Sequence, residues 1–141
     1  ILVNGTGLPS PSRDVDECFR FLLALSRKLG QVQYFCAKRS SLHHAWVKAR
    51  RGRIVRAYAW AGKTLWQQGA QTPGESVLGL ECFDYADPAF EAVAELPRML
   101  AHNLEKVALL AANWGLDPAS VQRHFPLGER GVTGRTPAHR Y

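Results

Sequence analysis

HHAWVKARRGRIVRAYAW, from His43 to Trp60, predicts a β-hairpin. Small apolar residues alternate with larger or charged ones on both sides of its Arg-Gly turn, and a period of two is typical of a strand with two different faces. A three-residue loop, Arg50-Arg51-Gly52, would pair Val47 with Val55 and collect the small residues on one face. A two-residue loop would mix polarity on both faces, so the sequence favours the three-residue loop.

The other face of this predicted hairpin combines large aromatic rings with positive charge. It holds His44, Trp46, Lys48, Ile54, Arg56, Tyr58 and Trp60. If the face is open, the contact rings for a partner are Trp46, Tyr58 and Trp60, and the charge partners are Lys48, Arg50, Arg53 and Arg56. The alternative is that the rings pair across the strands and are covered by later helices or by a second subunit. Three uncovered aromatic rings would form a costly exposed patch.

A helix and a strand are predicted before the hairpin. Apolar residues recur at three- and four-residue steps up to Leu29, which predicts a helix over residues 13–29. Ser12 is the expected N-cap, and Gly30 suits the residue just past the helix. The apolar run QVQYFCA, residues 31–37, predicts a central strand.

After the hairpin, the sequence predicts one more strand and several helices. The strand is TLWQQ, residues 64–68, and Thr72-Pro73-Gly74-Glu75 predicts a capping box that opens a short helix. Further helices are expected from Asp87-Pro88 up to Pro97, over residues 103–114, and from Asp117-Pro118.

These elements favour one α+β domain over residues 1–125, because the strands come early and the helices mostly late. We expect an antiparallel sheet of about four to five strands, with helices mainly on one face. Ile1–Val3 predicts an additional strand. Residues 126–141, rich in Gly, Pro and Arg, are expected to form a tail.

Charge is strongly segregated along the chain. Between Cys18 and Gly74 there are eleven Lys or Arg and no Asp or Glu, whereas Glu75 to Glu105 holds seven acids against Arg98 alone. The formal net charge is +6. This balance favours an anionic partner, either nucleic acid or an acidic protein.

Motifs for catalysis, cofactors and metals are missing from the sequence. Cys18, Cys36 and Cys82 have no CxxC spacing, which predicts free thiols and a reducing, cytoplasmic setting. No metal-ligand spacing and no complete nucleotide-binding loop occurs, and no run of apolar residues is long enough to predict a transmembrane segment. The one enzymatic alternative is a thiol–imidazole pair formed by Cys36 and His44 across the sheet.

The hairpin resembles one found in small bacterial proteins of unassigned function. The resemblance is carried by His44-Ala45-Trp46-Val47-Lys48 and by the segment from Gly52 to Trp60, GRIVRAYAW. It extends from about Phe19 to Gly79, just under half of the chain. It implies no activity and assigns no functional residue.

The sequence therefore predicts a non-catalytic binding module whose hairpin region, residues 43–60, meets an anionic partner. The alternative is a bacterial accessory or immunity-type interaction domain that buries its aromatic face in a homodimer. No cofactor is expected with either function.

Overall fold

The computed structural model describes residue 3 and residues 5–85 and 95–115 of the chain. The elements in this part are α1 (Val15–Leu29), β1 (Gln31–Lys38), a 3₁₀ turn (Arg39–Ser41), β2 (His43–Arg50), β3 (Arg53–Trp60), β4 (Thr64–Gln68), α2 (Pro73–Val77) and α3 (Leu96–Trp114). The strand predicted at Ile1–Val3, the helix starts at Asp87-Pro88 and Asp117-Pro118, and the tail 126–141 lie wholly or mostly outside the described residues.

Helix α1 forms as its sequence predicts, except at its first residue. Asp14 is the N-cap in place of Ser12, and its side chain accepts a hydrogen bond of 2.9 Å from the backbone of Glu17. The hydroxyl of Ser12 is instead within 2.9 Å of that of Ser10. At the other end Gly30 takes φ +81°, a conformation that favours glycine.

The four strands form one antiparallel sheet in the order β1-β2-β3-β4. This confirms the α+β fold and the antiparallel sheet, and each strand pairs with its neighbour in sequence. Helices cover both faces of the sheet, whereas the sequence placed them mainly on one. The cover of the second face changes the interpretation of the hairpin.

The hairpin register differs from the one that the sequence favoured. Arg50 pairs with Arg53, so the loop has two residues, and Arg51 and Gly52 both have positive φ, at 48° and 76°. Positive φ at both loop residues is the conformation that suits the twist of a tight hairpin. A bulge follows: Ala49 pairs with Ile54 but Lys48 pairs with Arg56, which leaves one extra residue in β3.

The bulge explains why a two-residue loop does not mix polar and apolar residues on the faces of the sheet. The extra residue, Val55, is 48% exposed, while Ile54 turns to the side of α1. From Ala57 onward the alternation of faces is the predicted one. The predicted faces of Ile54 and Val55 were therefore wrong, because the hydrophobic pattern alone does not reveal an inserted residue.

The sheet separates two hydrophobic layers. On the α1 side the small residues of the hairpin pack against α1, as predicted; this layer contains Cys18, Leu22, Tyr34, Ala45, Val47, Ala49, Ala57, Ala59 and Trp66. The other layer contains Trp46, Tyr58, Trp60, Leu80, Leu100, Val107 and Leu110. Small hairpin residues let the bulky stripe of α1 approach closely, and the large rings are left to the opposite layer.

The segment after β4 follows the sequence prediction in part. The capping box is confirmed, with Thr72 and Glu75 bonded reciprocally at the start of α2. Residues 80–84, which follow α2, have no strand partner among the described residues. Pro97 lies in the first turn of α3 rather than at the end of a helix. Proline is tolerated there because N–H groups in the first turn have no hydrogen-bond partner within the helix.

Candidate functional site

The predicted contact rings are buried in the structure. Trp46 and Tyr58 are 0% exposed and Trp60 is 6% exposed. Their layer is completed by side chains of α3 and by Leu80. The alternative interpretation, rings covered by later helices of the same chain, therefore applies to these three residues.

Arg56, predicted as a surface charge partner, is also buried, and it forms an ion pair. It is 2% exposed, and its Nη2 lies 2.7 Å from Oε1 of Glu75, which is 0% exposed. Its Nε also donates to both carboxylate oxygens of Glu75, at 2.9 and 3.1 Å. The indole N–H of Trp46 donates to the same carboxylate at 2.7 Å, and Thr72 donates from its backbone and its hydroxyl at 2.7 and 2.8 Å.

The electrostatics of this network keep both partners charged. Burial by itself would raise the pKa of Glu75, but the hydrogen bonds from Arg56, Thr72 and Trp46 outweigh it and hold that pKa below its ordinary value. Burial likewise opposes the charge of Arg56, and the adjacent carboxylate raises the pKa of Arg56 in spite of it. A fully bonded, enclosed pair of this kind joins the sheet to α2 and leaves no lone pair or proton aimed at a ligand.

His44 belongs to a second buried network, which joins the sheet to α3. Its Nδ1 lies 2.9 Å from the carbonyl oxygen of Leu42, which can only accept, so Nδ1 carries the proton. Its Nε2 then accepts from Nδ2 of Asn103 at 3.2 Å. The amide of Asn103 is held in this orientation by the backbone N–H and C=O of Glu81, at 2.9 and 2.7 Å.

The hypothesis of a Cys36–His44 pair does not agree with this geometry. Cys36 packs with the α1 layer, whereas the ring of His44 stacks between Trp46 and Trp60, with centroid distances of 5.8 Å to each. Both ring nitrogens of His44 are occupied, and burial lowers its pKa. No proton acceptor is left for the thiol.

The thiols of Cys18 and Cys82 are held in their protonated, unreactive form. Burial raises the pKa of Cys18 to about 12, and it also raises that of Cys82 to about 12 in spite of the nearby Arg56. Among the described residues no group of three or more His, Cys, Asp or Glu could hold a metal ion.

A cluster of exposed positive charge lies at one end of the sheet, around the β2–β3 turn. Arg50, Arg51 and Arg53 lie at the turn, and Arg27 and Lys28 lie at the end of α1; all five are exposed. We refer to these five residues, Arg27, Lys28, Arg50, Arg51 and Arg53, as the basic tip.

Three contacts fix the turn to the end of α1 and so bring the two parts of the basic tip together. The backbone N–H of Arg51 donates to the carbonyl of Gly30 at 2.8 Å, and that of Gly52 donates to the hydroxyl of Ser26 at 2.9 Å. The side chain of Arg27 crosses directly over Gly52, where an added Cβ would lie 2.7 Å from its Cγ. The positive charges are therefore presented on a rigid scaffold.

The basic tip is not neutralised by described acids. No described carboxylate lies within 4.0 Å of its cations, and the ion pair within the described residues is Arg56–Glu75. The acids of α1 lie in its first turn, and Asp16 is roughly 16 Å from Arg27 along the axis at 1.5 Å per residue. At physiological salt this exceeds the Debye length of about 8 Å, so these acids screen the tip only weakly.

The basic tip and the predicted site overlap in two residues, Arg50 and Arg53. Lys48 is half-buried, and its Nζ lies 4.9 Å from the ring centroid of Trp114. Arg27 and Lys28, in the last turn of α1, were not among the residues predicted to contact a partner. Gly30 could have indicated that these two residues lie near the turn. It ends the helix one residue before a strand that runs beside the hairpin.

Arg51 was also left out of the predicted site, although it lies in the same turn. The predicted site included Arg50 and Arg53, which lie on either side of the turn. Position in the turn is what exposes all three.

No described helix is long and apolar enough to cross a membrane. Comparison with protein-family models, with curated proteins and with solved structures gives no match to this chain, so no relative assigns a role to the basic tip or bears on the resemblance of the hairpin.

Proposed function

We propose that the protein is a non-catalytic binding module and that its basic tip engages an anionic partner. The observation that carries this proposal is the convergence of five exposed cations from the end of α1 and from the β2–β3 hairpin, with no described carboxylate within 4.0 Å. In this proposal the buried rings and Arg56 stabilise the fold. The contact surface lies at the end of the hairpin and not on the face that the sequence predicted.

The local cost of this arrangement supports a functional reason for it. Arg50 and Arg53 are directly opposite each other in the antiparallel pair, and like charges in that position destabilise a sheet. Arg51 has a positive φ of 48°, a conformation in which Gly, Asn or Asp is ordinarily preferred. A polyanion bound across the turn would remove the repulsion between Arg50 and Arg53. Its binding free energy would offset the cost of both the like-charge pair and the positive φ of Arg51.

Inorganic polyphosphate is a suitable first probe for this proposal, because it offers dense negative charge without bases or side chains. We expect labelled polyphosphate to bind the full chain, and Arg51→Glu/Arg53→Glu to weaken binding at least about tenfold. The matched control is Lys38→Glu/Lys63→Glu, which changes the net charge equally at the opposite end of the sheet. Equal losses in the two variants would mean that overall charge, not the basic tip, attracts the anion.

The rival function, an immunity-type domain that hides its aromatic face in a homodimer, has lost its main support. That hypothesis needed an open aromatic face, and α3 of the same chain occupies the face instead. We also propose a reducing compartment such as the cytoplasm, because Cys18, Cys36 and Cys82 are all unpaired.

A further inference from the structure

We infer that the anionic partner of the basic tip is nucleic acid, bound through its phosphodiester backbone without reading of the bases. This inference rests on the proposed function and adds the class of partner and the mode of recognition. It follows from the density of charge at the tip, from the kind of cation used and from the location of the aromatic rings.

The density of positive charge at the tip suits a polyphosphate chain. Arg50 and Arg53 are paired residues, whose Cα atoms in such a pair lie about 5 Å apart. Arg27 reaches over Gly52 between them. Duplex DNA carries one negative charge per about 1.7 Å of its axis, counted over both strands, so closely spaced cations can each meet a phosphate. An acidic protein surface needs a local run of carboxylates to match this density.

The kind of cation also favours phosphate. Four of the five residues of the basic tip are arginines. A guanidinium is planar and can donate two parallel hydrogen bonds to the oxygens of one phosphate, whereas an ammonium acts as a point charge. At an exposed turn, such bonds position the partner without selecting its sequence.

None of the five described residues of the basic tip is aromatic, so the tip itself offers no ring for base stacking. The rings that could have stacked on bases, Trp46, Tyr58 and Trp60, are buried beneath α3. Among the described residues the large exposed aromatic side chain is Tyr85, and its hydroxyl is bonded to the backbone of Gln67 on β4. Single-stranded nucleic acid is ordinarily held by stacked bases, so we expect duplex to bind more tightly than single strands.

The test measures fluorescence anisotropy of labelled 20-base-pair duplexes of three unrelated sequences, the corresponding single strands and a poly-glutamate peptide, each with the full chain. We expect the three duplexes to bind with Kd values within about twofold of one another, and more tightly than the single strands or the peptide. The logarithm of the binding constant should fall with the logarithm of salt concentration with a slope between roughly −3 and −4.5, from about −0.9 per phosphate contact.

The variants connect this slope to individual residues. Arg51→Glu/Arg53→Glu should reduce its magnitude by about two, because two phosphate contacts are lost. Arg27→Gln/Lys28→Gln, on the helix, should give a similar reduction, and it keeps the hydrogen bonds of the Arg51 and Gly52 backbones to Gly30 and Ser26. Lys38→Glu/Lys63→Glu should leave the slope within about 0.5 of the wild-type value. Circular dichroism of each variant checks that the fold is retained.

The outcomes separate this inference from the proposed function. Tip-dependent binding of polyphosphate or poly-glutamate without binding of duplex would overturn the inference and leave the proposed function standing. The inference would also be overturned if single strands bound more tightly than duplex, or if their binding depended on base sequence. Either result requires an aromatic ring that is open to the bases. If no polyanion binds in a tip-dependent way, both fail.

Discussion

Protonation of His44 should destabilise the fold, because its neutral form is the one that the buried network requires. Nδ1 donates to Leu42 and Nε2 accepts from Asn103. A proton on Nε2 would place two N–H groups against each other at 3.2 Å. Asn103 cannot turn its oxygen inward without breaking both of its hydrogen bonds to Glu81. The rings of Trp46 and Trp60 enclose the imidazole on its faces.

The sign and size of the effect follow from linkage. Burial lowers the pKa of His44 in the folded state below its ordinary value of 6.5, so the unfolded chain takes up the proton first. The stabilisation is complete above pH 6.5 and is lost as the pH falls toward the folded-state pKa. For one proton the slope approaches about 1.4 kcal/mol per pH unit. Between pH 6.5 and 5 the loss from this one proton is at most about 2 kcal/mol.

Urea unfolding at half-unit steps between pH 7.5 and 5 measures this slope and stays above the ordinary pKa of 4.5 for a glutamate, so that Glu75 remains ionised. His44→Gln cannot titrate, and we expect its stability to vary much less with pH, whatever its absolute value. His43→Gln is the matched control and should keep the wild-type slope. An unchanged slope in His44→Gln would refute the reasoning, since the titrating group would then lie elsewhere.

Three further substitutions test the other structural conclusions by urea unfolding. Glu75→Gln leaves Arg56 buried without its counter-charge and should cost about 3–5 kcal/mol, whereas a loss below 1 kcal/mol would mean that the pair is dispensable. Arg51→Asn should raise stability by about 0.5–1 kcal/mol while weakening polyanion binding, because asparagine tolerates the positive φ; lower stability would contradict the strain assigned to this turn. Gly69→Ala should destabilise more than Gly62→Ala, although both have φ +76°, because only the first brings a Cβ against the backbone of β3; equal losses would exclude that contact.

Local signals were sufficient to predict several elements. Helix α1, its end at Gly30 and the capping box at Thr72 each depend on residues within a few positions of one another. The alternation in the hairpin also predicted correctly that small residues face α1. The register was wrong because an inserted residue, Val55, restores the alternation that a two-residue loop would otherwise break.

The candidate site was predicted less well, because contacts between distant segments decide which charges are exposed. Arg56 and Glu75 are 19 residues apart, and their pairing removes one arginine from the surface. The docking of α3 depends on contacts such as Gln33 with Trp114, 81 residues apart. Neither contact leaves a local pattern, and so the rings of the hairpin looked like a surface.

The distance along the chain between the aromatic rings and their cover has a consequence for synthesis in the cell. His44 precedes Asn103, its partner in α3, by 59 residues. At translation rates of about 5–20 residues per second, the ribosome needs roughly 3–12 s to make that interval. During those seconds the hairpin can already form while its Trp46 and Tyr58 rings lack the helix that will bury them. The nascent chain therefore exposes an aggregation-prone aromatic surface until its last described helix has emerged.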